Sequence, residues 1–460
     1  MRWLPTIHRV WALAAVGVAA GVAAGLAISL ATNALAQGAS GSGAVFDVTH
    51  VPPLLTVPDA SGELVYDVHC SAAGVDDPEA NCSVSGTVFA RRVGVGSFRE
   101  IPLERRDPVT RQLAATVPDE LLDSDAFEYF AVFESAEAEA RLTVPPGAQS
   151  APSVSRRLRN ATPVLLGRHS FGEARRSGQR LVFARWGDGP DAAGLEEGRN
   201  LEPVGASAFD VDASGAIVVL DHANRRLLRW TKGTRAPVHV PVSINGTIAD
   251  LASGGDGSFY VMETTARNGK APLIRRFDDH GRELEAVEAA EQGTAQIRIG
   301  PDGPVVLQRP SHQWMPAAVA GVPASQAAQL QRGRMGRLLR SGGEVVVLSR
   351  TNELRVAVVA GGRSTRSWRI TSETPLGEVQ LAEPVGRRFV VVVRLYDGRS
   401  DEFAVLLLDR RGLVSRTTVD AADWAEAAPL GRFRLVGRDL YRLGSTPAGV
   451  FVDRFDLEVR

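Results

Sequence analysis

Lysine is almost missing from this chain. Only Lys232 and Lys270 stand among its 52 basic residues, and the rest are arginine. Arginine codons are GC-rich, so the bias reads as a GC-rich bacterial genome and strips single arginines of functional weight. Cysteine is as scarce, with Cys70 and Cys82 alone. That excludes a zinc knuckle, which needs two closely spaced ligand pairs. Charge of either sign is nearly absent in the balance, at a formal −1. No basic stripe interleaved with aromatics occurs, which excludes a nucleic-acid-binding surface. His-x-x-x-His, Cys-x-x-Cys and Gly-x-Ser-x-Gly patterns are also missing, so no common metalloprotease, redox or serine-hydrolase motif is present. Outside one stretch, nothing is apolar enough to span a bilayer.

That stretch lies at the start. A short head with Arg2 and Arg9 precedes an apolar run from Val10 to Leu35, closed by the small-x-small pattern Ala34-Leu35-Ala36. Residues 1–36 therefore read as a signal peptide or, uncleaved, as a membrane anchor. The Gly/Ser-rich residues 37–44 read as a flexible linker. Both readings place the rest outside the cytoplasm, secreted or exposed at the cell envelope, with a membrane contact only through an uncleaved segment. In that compartment two cysteines read as one disulfide, Cys70 to Cys82. Its loop of about 13 residues would contribute about 3 kcal/mol.

Two kinds of strand pattern follow. Residues 45–143 carry short alternating runs such as Leu64-Val-Tyr-Asp-Val-His-Cys70 and Phe127-Glu-Tyr-Phe-Ala-Val-Phe133, divided by polar, Gly- and Pro-bearing turns. This spacing predicts a β-sandwich. Residues 144–160, rich in Pro and Ser, read as a linker. From 161 to 460 one plan recurs six times: an alternating strand, a glycine turn, then a more apolar strand. The turn glycines Gly215, Gly257, Gly303, Gly343, Gly386 and Gly437 lie about 42, 46, 40, 43 and 51 residues apart, the period of a four-stranded propeller blade.

The first repeat is the sharpest. Trp186-Gly-Asp-Gly-Pro190, Gly194, Pro203, Phe209-Asp-Val-Asp212, Gly215, Val218-Val-Leu-Asp221 and Asn224-Arg225-Arg226 resemble an NHL repeat. The sandwich is similar in plan to immunoglobulin-like and fibronectin-like domains, although its cysteine pair is local. The resemblance implies an all-β chain: an N-terminal Ig-like β-sandwich followed by a six-bladed NHL-like β-propeller. It implies no particular activity. The last repeat stops after its third strand, Gly449 to Phe455, while Gln179 to Trp186 is a spare strand before the first repeat. Pairing the two would close the ring and remove an exposed edge.

Loops on one face of such a ring gather the chemistry-bearing residues. Asp221, His222, Glu263, His312, Trp314, Asp397 and Trp424 are the candidate ligand-binding residues, and each is weighed against a solvated or packing role. Asp221 is expected to cap its loop by backbone hydrogen bonds. Asp210-Val-Asp212-Ala-Ser214-Gly215 has the alternate oxygens of a short calcium loop but lacks a later bidentate acid, so it reads as a hairpin turn. No cofactor is expected, calcium being the one weighed. The leading expectation is an extracytoplasmic binding or scaffold protein whose propeller face takes a protein or glycan partner at the envelope. The alternative is a metal-dependent propeller enzyme of lactone-hydrolase or lyase type, with Glu263, His222, His312 and Asp397 around the central channel.

Overall fold

The computed structural model describes residues 45–457, apart from 51, 58–61, 73–74, 77–82, 107–110, 136–139, 146–147, 159, 174, 199–201, 245–248, 264–272, 289–293, 309–312, 318–335, 340–341 and 428–430. The expected leader and linker at residues 1–44 lie outside the described residues, as do Cys82 and His312. Among the described residues no helix is long and apolar enough to cross a membrane. The chain is nearly all β.

The first part holds β1 (Val45–Thr49), β2 (Leu55–Thr56), β3 (Glu63–Ala72), β4 (Val75–Asp76), β5 (Ser85–Arg92), β6 (Arg99–Pro102) and β7 (Glu104–Arg105). It continues through β8 (Gln112–Thr116), the short α1 (Asp119–Leu122), β9 (Ala126–Ser135), β10 (Ala140–Val144) and β11 (Ser153–Arg157). One sheet runs β1-β3-β8-β7 with β4 on β3; the other runs β2-β11-β9-β5-β6 with β10 on β9. Period-two alternation decides which side chains go inward. On β3 these are Leu64, Tyr66, Val68 and Cys70; on β9, Phe127, Tyr129, Ala131 and Phe133. The stretch expected as a linker is partly structured: Ser153–Arg157 pairs with β9 and, in parallel, with β2. Its alternation, Ser-Val-Ser-Arg-Arg, is too short and too polar to announce a strand.

Within this core His50 sits flat on Tyr66, with ring centroids 4.0 Å apart. Its Nδ1 donates to the Val65 carbonyl at 2.7 Å, and its Nε2 accepts from the Tyr129 hydroxyl at 2.7 Å. The proton is thereby fixed on Nδ1, since a carbonyl can only accept. Burial, only partly opposed by the Val65 bond, lowers the imidazole to about 4.

Six further sheets follow among the described residues. The strands before them are β12 (Thr162–Leu165), β13 (Gln179–Trp186) and β14 (Ala192–Ala193). The first sheet is β15 (Ala208–Val211), β16 (Ile217–Asp221), β17 (Arg226–Trp230) and β18 (Val238–Pro241). The second is β19 (Ala249–Ser253), β20 (Phe259–Glu263), β21 (Leu273–Phe277) and β22 (Glu283–Glu288); the third is β23 (Thr294–Gly300), β24 (Gly303–Gln308) and β25 (Gln313–Pro316). The fourth is β26 (Gly336–Leu338), β27 (Glu344–Ser349), β28 (Glu353–Ala360) and β29 (Arg363–Thr371), with β12 parallel to β29 on its outer side. The fifth is β30 (Leu376–Val385), β31 (Arg388–Tyr396), β32 (Asp401–Asp409) and β33 (Gly412–Asp420). The sixth is β34 (Phe433–Val436), β35 (Asp439–Thr446) and β36 (Gly449–Asp456), completed by β13 and β14.

Successive sheets pack face to face through apolar clusters: first on second, second on third, fourth on fifth, fifth on sixth and sixth back on first. This explains strands such as Phe389-Val-Val-Val-Val393, which are buried on both faces rather than alternating. All six turn glycines adopt positive φ, from +57° at Gly386 to +127° at Gly303, as tight hairpins require.

The expected closure is present. β13 runs antiparallel to β36 with Val182 opposite Val452, Phe183 opposite Phe451 and Ala184 opposite Val450. Gly449 is needed there: at φ +153°, a Cβ would lie 2.1 Å from the Ala184 carbonyl oxygen. The sandwich meets the fourth sheet through a separate apolar cluster in which Leu55, Val57 and Leu158 pack on Val346, Ala357 and Val359.

Candidate functional site

The Asp221 carboxylate, at the end of β16, is fully buried. Its Oδ1 accepts from the backbone N–H of Gly194 at 2.8 Å and of Asn224 at 3.4 Å. Its Oδ2 accepts from Asn224 Nδ2 at 2.9 Å and Arg226 Nε at 2.8 Å. Asn224 and Arg226 then donate onward to the carbonyls of Gly187, Gly189 and Ala192. The Asp-x-x-Asn-x-Arg string is therefore a staple. It pins the loop from β13 to β14 against the turn after β16, and no oxygen of Asp221 is left for a ligand.

The calcium-like loop is spent in the same way. Asp212 Oδ1 accepts from Ser214 N and Oγ and from Ala216 N, while Oδ2 accepts from Arg229 Nη2 at 2.7 Å. One repeat later the arrangement recurs, with Asp256 holding Ser258 N and Oγ and pairing with Arg276 at 2.5 Å. Both are turns braced by an arginine from the third strand.

The other described candidates each have their own surroundings. Glu263 is buried at the end of β20, 3.7 Å from Arg275. Trp314 is half-buried on β25, with the Arg337 guanidinium 5.9 Å from its ring centre. Asp397 is exposed in the turn after β31, where backbone N–H groups of Arg399 and Ser400 hold its carboxyl below the usual value. His222 is only 3% exposed, and neither ring nitrogen has a hydrogen-bond partner among the described residues. Burial lowers its imidazole, against the opposing fields of Glu196 and Asp221. Trp424 is half-buried and packs on Trp186 with centroids 5.9 Å apart. Trp186 is fixed by its indole N–H on the Thr446 carbonyl and lies over Gly205, where a Cβ would come within 2.6 Å of the ring. The preceding Asp423 is clamped by Arg432 at 2.6 Å and Arg442 at 3.2 Å. Burial still raises its carboxyl against those two charges.

The most highly organised polar group lies elsewhere, on the innermost strands. Arg434 of β34 reaches past the first sheet to β19 of the second. There its Nη2 donates to the Leu251 carbonyl at 3.0 Å and lies 3.3 Å from Asp250 Oδ1. Its Nε is 3.3 Å from Asp210 Oδ1 on β15. Asp250 Oδ2 also accepts from Ile297 N at 2.9 Å and Arg298 Nη1 at 3.2 Å. On β26, Arg337 pairs with Glu383 of β30 at 2.5 Å. Burial lowers the Arg298 guanidinium, and the neighbouring Arg434 adds to the effect. Acids and arginines thus alternate along these first strands and pair with one another. A charged residue inside the first strand of each repeat, as in Ala249-Asp-Leu and Phe433-Arg-Leu, is the sequence signal that marks them.

A second buried cluster lies on the fifth sheet's outer side. Glu402 of β32 accepts from His169 Nε2 at 2.8 Å, Gly172 N at 2.9 Å, and Arg175 Nε and Nη2 at 3.0 and 2.8 Å. Burial pushes its carboxyl up, and these donors outweigh that and hold it below the ordinary value. Arg416 lies 2.7 Å from His169 Nδ1. A guanidinium only donates and a carboxylate only accepts, so the imidazole carries its proton on Nε2. Both ring nitrogens are engaged, which leaves His169 no role as a base.

No protein-family model matches the chain, and no curated protein matches it. Among solved structures, virginiamycin B lyase from Staphylococcus aureus aligns at a TM-score of 0.31, with 10% identity over 54% of this chain and 94% of its own. A glucose dehydrogenase aligns at 0.32, with 12% identity over 54% and 95%. YCF48 from Cyanidioschyzon merolae aligns at 0.30, with 10% identity over 55% and 97%. These are propeller-type, all-β proteins. Likeness at this level carries no argument about the activity of this chain.

Proposed function

We propose that this is an exported binding or scaffold protein: an immunoglobulin-like sandwich joined to a six-bladed, NHL-type propeller that takes a protein or carbohydrate ligand at the cell envelope. The observation that supports it most is the ion cluster that ties together the first strands of the sixth, first, second and third sheets. There Arg434 and Arg298 are spent on Asp210 and Asp250 rather than held for a substrate. Asp221, Glu263 and Asp397 serve their own loops and ion pairs. What remains accessible is the loop surface, with Trp424 held rigidly beside Trp186. A rigid, half-exposed aromatic pair suits recognition more than chemistry. The hydrophobic leader and the paired cysteines expected from the sequence support an extracytoplasmic site of action.

Affinity capture from envelope fractions with the full mature chain tests this reading. The wild type is expected to retain a partner that Trp424→Ala releases. Turnover of a small molecule by the purified protein would contradict it. The metal-enzyme alternative keeps one supporting observation, His222, whose ring nitrogens are not used by the fold. Elemental analysis of protein purified without chelator separates the two: stoichiometric calcium or zinc lost in His222→Ala would favour the enzyme.

A further inference from the structure

The chain between the sandwich and the ring is a strap laid across three sheets. β12 pairs with β29 of the fourth sheet, and Thr162 Oγ1 donates to the Arg410 carbonyl at 3.3 Å. Over the fifth sheet, the Leu166 carbonyl accepts from Arg416 at 2.9 Å and His169 N donates to Thr374 Oγ1 at 2.9 Å. Arg176 N donates to the Thr418 carbonyl at 2.8 Å, and its Nη1 to the Asp456 carbonyl of the sixth sheet at 3.0 Å. The strap then becomes β13, the strand that closes the ring.

Its attachment is polar. Among the described residues between 160 and 186 the buried apolar side chains are Val164, Leu166, Val182 and Ala184, and β13 is otherwise largely exposed. The strands beneath are buried almost throughout, as on β32 and β36. Few buried apolar contacts and many exposed backbone hydrogen bonds mark the segment that opens first in a folded protein. One residue holds its middle: Glu402, fully buried, receives all four donors from the strap segment His169 to Arg175.

The geometry points to a latch. Residues 160–186 open as one unit, with Glu402 as the catch, and their release uncovers the edge of β36 while the other sheets stay folded.

Native-state hydrogen exchange on the full chain tests the latch, comparing wild type with Glu402→Gln and Arg175→Gln. Arg175 is 43% exposed, so its replacement leaves the core intact should the Glu402 variant fail to fold. Losing its charged hydrogen bonds is expected to speed exchange of the β13 amides, and of the β36 amides bonded to β13, about tenfold or more. Amides of β31 and β32 keep wild-type protection. The inference is overturned if β31 and β32 lose protection in step with β13, or if β13 does not change in Arg175→Gln.

Discussion

At the scale of single residues, polar side chains buried in apolar strands organise this molecule. Arg434 is the strongest case, because it leaves its own sheet to pair with Asp210 and Asp250. Removing one member of a buried ion cluster strands the other charges, at a cost of about 3–5 kcal/mol. Arg434→Met is therefore expected to lower unfolding free energy by about that amount. The double variant Arg434→Met with Asp250→Asn should lose less than the two single losses added together, since the stranded charge is then gone; chemical denaturation of the four proteins checks this. Asp221→Ala removes the acceptor for four donors, so the staple opens. Proteolytic nicking between Gly187 and Gly194 should rise sharply in that variant and stay low in the wild type. The staple was legible in the sequence, because Asp221, Asn224 and Arg226 form a recognisable string. The Glu402 cluster was not, because its members are distant in the chain and each looks like an isolated charge; the Arg434 cluster left a signal in the charged residue of each first strand, but not which of those charges pair.

At the scale of elements, the patterns read from sequence fared according to their length. Long alternating or apolar runs such as β3, β9 and β31 were legible, since their side chains must alternate or bury on both faces. The six glycine turns were legible for a backbone reason, positive φ. β11 and β12 were not: each is short, and each is a strand only because an existing sheet edge offers it partners. The sandwich core makes its own prediction through His50. An imidazole lowered to about 4 from 6.5 stays neutral in the folded state while the unfolded chain takes up a proton. Its contribution is thus complete above pH 6.5 and is lost as pH falls towards 4. The difference is worth about 3 kcal/mol. Urea unfolding should show that fall in the wild type between pH 7 and pH 4, and a shallower one in His50→Gln.

At the scale of the whole molecule, the sixth sheet is completed by a strand that arrives from before the first repeat. The spare strand before the first repeat and the missing one after the last were both legible by counting. What the other loop residues hold was not: Asp397 braces its own turn, Glu263 is tied to an arginine, and Trp424 packs on Trp186. Periodicity fixes strands through burial, whereas loop side chains answer to neighbours from other sheets that periodicity does not reveal.

Closure can be measured directly with a cysteine at each of Ala184 and Val450, which face one another across β13 and β36. Directly opposed residues in antiparallel strands lie about 4.5–5.5 Å apart at Cα, within reach of a disulfide. Oxidation of the Ala184→Cys, Val450→Cys variant should give a monomer in which peptide mapping finds residues 184 and 450 linked within one chain. Failure to form that bond, or its appearance only between two chains, would contradict a ring closed by its own N-terminal strand.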